Sequence, residues 1–464
     1  MKKRFILLAT LLITGFLPVV KTSAQTATPV ASGQYTLQQC VDYALKNYNA
    51  IKNAELDMQS AAAKVGEIRG NGLPQLTAGA SIVDNPELQR MYMQGSKARA
   101  FDQDPTHVYD PNTVYALPNL FQLRSSGDMN IGLNQLLFDG SYIMGLKAAK
   151  VYKELARKSM VQTKVEVVEN VTKAFYMVLI NQEQLQLLDA NVSRLDSLFN
   201  NTKSLQKEGF TEEIDVNRIE VARNNLLAER TKFTQLTGVT SLLLKYQMGM
   251  PLNDSLAIQG SIRDLQVDAI DTKVEAKPEN RIEYTLLKTQ SELRSLDVKS
   301  NQAKFFPSLS GFAKGGYNRQ DLTVDQVLKN HWYPYFNWGV SLNVPIIAGG
   351  TRLYKLRQSN YEYKKSENNL NQFRQTVDLQ VKQSVINLDN EMKTLEIQKR
   401  NLDLATEVVR VSKIKYTNGS GSNLEVTDAE NSFKQAQTNY FNAVYSVLLA
   451  KIDYQKSTGT LYTE

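Results

Sequence analysis

Few side chains in this sequence are suited to making or breaking bonds. It contains two histidines, His107 and His331, and one cysteine, Cys40. That is too few for a zinc site, a thiol redox pair or a histidine-based triad. A disulfide within one chain is impossible, and Cys40, at an apolar helix position, reads as a buried small hydrophobe. No glycine-rich phosphate loop or paired-carboxylate pattern stands out, so no enzyme class and no cofactor is implied. Met91, Met93 and His107 carry soft-metal donors suited to copper or silver. Such a site needs convergent ligands, and an ordinary surface loop over 84–127, with Pro86, Pro105, Pro111 and Pro118, is the favoured reading. The remaining candidates are acids. Asp215, Glu425 and Asp428 each follow a glycine-bearing turn, where a carboxylate caps a helix and complements its dipole.

Those two turns are copies of each other. Lys207-Glu208-Gly209 with Ile214-Asp215-Val216 matches Thr417-Asn418-Gly419 with Leu424-Glu425-Val426 at an offset of 210 residues. The offset holds without a gap to Met248-Gly249 and Thr458-Gly459, and upstream from Phe138-Asp139-Gly140 to Ala348-Gly349-Gly350. Leu73-Pro74-Gln75-Leu76 matches Phe306-Pro307-Ser308-Leu309 at 233, so the first copy carries about 23 extra residues before Gly140. The unit is too long for a solenoid repeat, and a duplicated domain results, with repeats over 25–250 and 280–464.

Each copy predicts the same order: helix, strand, loop, strand, very long helix, tight turn, long helix. The first helices run over 36–69 and 280–304, each stopping before a proline. Strands are expected at 76–83, 129–138, 308–317 and 336–344. In the last, Phe336, Trp338, Val340, Leu342 and Val344 alternate with Asn337, Gly339, Ser341 and Asn343, giving one apolar and one small polar face. Nine residues is the length of a tilted membrane-spanning strand. The strand at 308–317 alternates poorly. Long helices are expected over 142–207, 211–248, 350–416 and 423–458. The first would span about 99 Å at roughly 1.5 Å per residue, and Phe433, Ala436, Tyr440, Ala443, Val447, Ala450 and Tyr454 keep the 3.5-residue repeat of supercoiled packing.

The whole chain has 464 residues, a formal charge of +7 and 42% hydrophobic residues, with a mean hydropathy of −0.36. Residues 1–24 read as an export signal: Lys2, Lys3 and Arg4, an apolar run from Phe5 to Val20, then Thr22-Ser23-Ala24. That segment holds four cations and no acid, leaving +7 less 4, or +3, for the exported chain. Such a balance gives no support for nucleic-acid binding. Cys40 lies well past the cleavage site and is not expected to carry a lipid. Beyond the signal there is no run of about 18 apolar residues that would make a membrane helix.

Four strands cannot close a membrane barrel, which needs about eight and leaves no edge in lipid. The exported chain must therefore share its sheet with further copies: two would give eight strands and a filled bore, three would give twelve and a hole. The helix pairs would continue the barrel as a cylinder of antiparallel coiled coils. Trp332, Tyr333, Tyr335, Phe336 and Trp338 cluster at one strand start, as in an aromatic belt at a membrane interface.

Several segments resemble the TolC-type outer-membrane efflux proteins. They are the opening Tyr35-Thr36-Leu37-Gln38-Gln39-Cys40-Val41-Asp42-Tyr43-Ala44-Leu45-Lys46-Asn47, the junctions Gly72-Leu73-Pro74 and Phe305-Phe306-Pro307-Ser308-Leu309, the strand exit Val344-Pro345-Ile346 with Gly349-Gly350, and both turns. The resemblance covers nearly the whole exported chain. It implies a mainly α fold with a small β part, a homotrimer with a twelve-strand barrel in outer-membrane lipid, and a periplasmic helical tunnel. Residues 251–279 would then belong to a belt around the tunnel's middle. The implied function is a passive exit duct of a tripartite efflux or type I secretion system. Its partners would be a periplasmic adaptor and an inner-membrane transporter of RND or ABC type. Residue by residue, Tyr416 resembles the gating tyrosine, Glu425 and Asp428 the acidic entrance ring, and Asp215 the aspartate bracing the gate, with Gly209, Gly419 and Gly421 in the hairpin turns. Three copies of each acid in a narrow bore would attract cations and repel one another. Gly421 stands where the family has a gate-locking arginine, and Arg218 or Lys415 are the cations at hand. The rival reading is a secreted trimeric coiled-coil scaffold or adhesin with no transport activity.

Overall fold

The computed structural model describes residues 34–101, 106–117, 119, 121–260 and 275–463. The export signal and part of the connecting segment lie outside the described residues. β1 (Gln34–Tyr35) leads into α1 (Leu37–Asn47), opened by a capping box in which Thr36 Oγ1 accepts from Gln39 N–H and Gln39 Oε1 accepts from Thr36 N–H. α2 (Asn49–Gly70) follows. The single helix expected over 36–69 is thus broken at Tyr48, whose extended backbone receives the end of another helix: a Cβ on Gly249 would come within 2.7 Å of Tyr48 Cα.

β2 (Gln75–Asp84) comes next, then a small hairpin, β3 (Met91–Gln94) with β4 (Val114–Leu117), and a four-residue helix, α3 (Gly95–Ala98), after β3. The segment expected as plain loop is thus partly structured. β5 (Ser125–Phe138) leads into α4 (Gly140–Lys207) and α5 (Glu213–Met248). β6 (Ala257–Ile258) pairs in parallel with β1. The second copy runs α6 (Ile282–Ala303), β7 (Ser308–Asp321), α7 (Val324–Lys329), β8 (Tyr333–Asn343), α8 (Thr351–Thr417) and α9 (Asn423–Thr458).

The two longest helices have 68 and 67 residues, rods of about 100 Å at 1.5 Å per residue. No proline interrupts either one. No single helix returns along their whole length. α5 and α9, of 36 residues each, cover about 54 Å at that rise; α2 and α6, of 22 residues each, continue towards the sheet for about another 33 Å. The joints are built alike. Gly249 (φ 70°) seats the end of α5 on Tyr48, and Gly459 (φ 77°) seats the end of α9 on Asn280, 2.5 Å from its carbonyl were a Cβ present.

Around these joints lies the main core. Cys40, Val41, Ala44 and Ile51 pack with Val171, Phe175, Val178 and Leu179 of α4, Leu244 and Met248 of α5, and Phe441, Val444 and Leu448 of α9. Burial pushes the Cys40 thiol up to about 12, which matches its expected role as a small hydrophobe. A second cluster, Val409, Ala429 and Phe433, joins α8 to α9 nearer the far turn.

The main sheet has the order β2–β5–β7–β8, antiparallel throughout, with a register shift between Leu136 and Phe138. β7, the strand with poor alternation, is 14 residues long. Its glycines permit close approach: a Cβ on Gly316 would strike the Met129 carbonyl. Among the described residues, no helix is long and apolar enough to cross a membrane.

Candidate functional site

Cross-strand register sorts the sheet into two faces. Leu76, Ala78, Ala80 and Ile82 of β2 pair with Leu133, Ile131, Met129 and Gly127 of β5. These residues of β5 pair in turn with Ala313, Gly315, Tyr317 and Arg319 of β7. Phe336, Trp338, Val340 and Leu342 of β8 complete that face beside Gly315, Ala313, Gly311 and Leu309. On β7 that face is apolar or glycine from Leu309 to Tyr317, with Gln135 of β5, opposite Gly311, a polar exception; its large side chains stand exposed, Trp338 at 74%. A surface of this kind is costly in water and suited to hydrocarbon.

The opposite face carries Asp128, Asn130, Lys314, Asn318 and Asn337. Tyr335 Oη–H donates to Asp128 Oδ2 at 2.7 Å, and Lys314 Nζ lies 3.9 Å from Asp128 Oδ1. The aromatic cluster therefore divides. Phe336 and Trp338 lie on the apolar face, Tyr333 and Tyr335 on the polar one, and Trp332 is half-buried just before β8. Among the described residues of this single chain β2 and β8 are the sheet's edges, each with one side unpaired.

At the other end of the long helices, the turns use Gly209 (φ 81°) and Gly419 (φ 71°), both with open space where a Cβ would stand. Gly421 is close-packed instead: a Cβ there would stand 2.9 Å from Lys415 Cβ and 3.1 Å from the Tyr416 nitrogen. An arginine at this position has no room unless the turn opens. Asp215 is the hub. It accepts from Thr211 Oγ1–H at 3.0 Å and pairs with Arg218 at 3.5 Å. Asn423 Nδ2–H, from the other turn, donates to Asp215 Oδ1 at 3.2 Å and to the Asp215 carbonyl at 3.1 Å. Of the two cations at hand, Arg218 reaches Asp215. Glu425 and Asp428 are exposed one turn apart on α9; Glu425 N–H donates to the capping Ser422 hydroxyl at 3.2 Å. Tyr416 is half-exposed on the last turn of α8. The structure thus joins Asp215 to Asn423, a buried residue that sequence reasoning passed over, since an asparagine at a helix start signals only a cap.

A second polar cluster lies at the joints. Arg281, almost fully buried, pairs with Glu283 at 2.9 Å and donates to Gln380 Oε1 and the Ser457 carbonyl, tying α6 to α8 and α9. Glu169 of α4 accepts from Lys173 at 2.8 Å and pairs with Lys456 at 2.7 Å. Burial raises both carboxyls, but Lys173 and Lys456 about Glu169, and Arg281 beside Glu283, outweigh it and hold them below the usual range. For the soft-metal reading, Met91 and Met93 lie on β3 and His107 packs edge-on to Tyr109. Among the described residues no group of three or more His, Cys, Asp or Glu is placed to hold a metal.

The sequence profile described as "Outer membrane efflux protein" matches residues 40–240 and 287–460. The chain is 20% identical over 365 residues to the outer membrane protein TolC of Vibrio cholerae, covering 77% of this chain and 81% of that one. It is 23% identical over 381 residues to the alkaline protease secretion protein AprF of Pseudomonas aeruginosa, covering 75% and 74%. Among solved structures, the CmeC outer membrane channel of Campylobacter jejuni superposes with a TM-score of 0.72 at 17% identity, covering 92% of this chain and 86% of that one.

Proposed function

The chain belongs to the outer membrane efflux protein family, and from that premise we propose how its own residues build and gate the channel. It resides in the outer membrane and is a passive channel of efflux or secretion, not an enzyme. Three copies join β8 of one sheet to β2 of the next and close a twelve-strand barrel. The apolar face meets lipid, with Phe336 and Trp338 as its aromatics, and the face of Asp128, Lys314 and Asn337 lines the bore. The helices continue that bore as a tunnel that ends at the two turns. A periplasmic adaptor and an inner-membrane transporter, of RND or ABC type, engage it from the other side; AprF, by its name, serves protease secretion.

One observation carries this reading: a four-strand sheet with a largely apolar face and two open edges. A lone chain cannot satisfy either feature, since exposed edges and lipid-type surfaces each demand a partner. Gating falls to the tip, where Asp215, Asn423 and Tyr416 hold the hairpins and Glu425 and Asp428 form the acidic ring. Planar-bilayer recording of the purified protein tests both parts. The Glu425→Ala/Asp428→Ala double variant should conduct with reduced cation preference; unchanged selectivity removes the ring. A protein soluble without detergent and electrically silent would instead be the scaffold.

A further inference from the structure

The loop between β7 and β8 folds back onto the sheet. Thr323 caps α7, its hydroxyl accepting from Gln326 N–H at 3.3 Å. Val327 is fully buried. A Cβ on Gly127 would stand 2.5 Å from the Trp332 ring and 2.8 Å from Val327 Cγ1. Trp332 Nε1–H donates to the Val327 carbonyl at 2.9 Å, one of the carbonyls that a helix end leaves without an internal partner. Asn330 Nδ2–H donates to Asp321 Oδ2 at 2.7 Å, and Arg319 donates to the His331 carbonyl at 3.3 Å. The loop is therefore fixed to the strand ends at several points.

Register tells which side it covers. Gly127 pairs with Ile82 and Arg319 and precedes Met129 by two residues, so it opens onto the apolar face. α7 and Trp332 lie outside the sheet rather than over the polar face. Height follows from the strand. On β7 the apolar-face positions stay apolar or glycine from Leu309 to Tyr317, which at about 3.4 Å per residue and a tilt near 40° covers roughly 21 Å of the membrane normal. The next position on that face is Arg319, beneath the loop. An apolar band of about 25 Å ends where α7 crosses. At that level Leu322 and Leu328 are each 60% exposed.

We infer that α7, with Trp332, Leu322 and Leu328, is an interfacial anchor. It lies in the plane between head groups and acyl chains of the outer leaflet, one per protomer, and fixes the height of the sheet in the bilayer. The inference rests on the reading that the apolar face meets lipid, because its surface is the continuation of that face. The occupant is lipid: Trp332 sits with its N–H satisfied at the level where indoles favour the membrane boundary, and a short helix with exposed Leu328 beside Lys329, preceded by exposed Leu322, has the amphipathic make-up of an in-plane element.

The chain holds two tryptophans, Trp332 and Trp338, so each can be made the sole indole. Full-length Trp338→Phe and Trp332→Phe proteins are reconstituted in phosphatidylcholine vesicles whose acyl chains carry bromine either near the head group or near the bilayer centre. Trp332 should be quenched more by the shallow bromines and Trp338 more by the deep ones. With Leu322→Asn and Leu328→Asn added to the Trp338→Phe chain, the shallow quenching of Trp332 should be lost. Quenching of Trp338 with none of Trp332, deep quenching of Trp332, or shallow quenching that survives both asparagines would overturn the anchor and leave the lipid-facing sheet intact. Should Trp338 itself escape every bromine, the lipid reading fails and the anchor with it.

Discussion

Arg281 shows what a single side chain can carry in a molecule with so little globular core. Its guanidinium is buried where α6, α8 and α9 meet, and among the described residues Glu283 supplies the one carboxylate paired with it. Glu283→Gln would leave that cation without its counter-charge. Breaking a buried pair in this way costs on the order of 3 kcal/mol, and the circular-dichroism melting temperature of the detergent-solubilised protein should fall accordingly. The same carboxyl, together with Glu169, sets a pH dependence. Both have folded-state values below their unfolded ones, so their contribution is complete above the ordinary glutamate range, near about 4.3. It is lost as pH falls through the depressed folded values. Thermal stability should therefore drop steeply in that acid window, and the drop should be shallower in Glu283→Gln. An identical acid profile in the variant would mean that the joint does not carry the effect.

At the scale of elements, four glycines end helices in the left-handed region, but in two different settings. Gly209 and Gly419 have open space around them, whereas Gly249 and Gly459 press on Tyr48 and Asn280. Alanine at Gly419 should cost only backbone strain, about 1–2 kcal/mol. At Gly459 it adds a clash with the Asn280 carbonyl, so Gly459→Ala should lower the melting temperature clearly more than Gly419→Ala; equal losses would show that the joint yields. Sequence periodicity reveals the four long helices and the strands β5 and β8, because a rod or a strand with one apolar face must keep its pattern over many residues. It treated α1 and α2 as one, since nothing in Asn47-Tyr48-Asn49 reveals that a distant glycine will dock there. β7 was underestimated because its glycines serve neighbouring backbones rather than a face. The tie from Asn423 to Asp215 joins residues 208 positions apart, and the clip over Gly127 depends on which way a loop folds. Neither leaves a local signal.

For the molecule as a whole, closure of the tunnel in the proposed trimer would be a contest between ties inside a protomer and repulsion across the threefold axis. Glu425 and Asp428 are exposed on α9, and three copies of each in the proposed ring would drive the tips apart. Asn423 holds the second hairpin to Asp215 of the first and would oppose that repulsion. It is only 4% exposed, so water cannot readily replace its two hydrogen bonds. Asn423→Asp turns this donor into a second carboxylate against Asp215, converting attraction into like-charge repulsion at hydrogen-bond distance. Conductance in planar bilayers should rise strongly relative to the parent, and more than in Asn423→Ala, which removes the tie without adding charge. Salt separates the two contributions. Raising ionic strength from 0.1 to 1 M shortens the screening length from about 10 to about 3 Å, which weakens the repulsion between copies but spares a short, buried contact. The open fraction of the parent should therefore fall at high salt, while Asn423→Asp should stay open. If that variant instead gates like the parent at both salt concentrations, the hairpins are held by something other than Asn423, and the closed tip would have to be attributed to contacts between protomers.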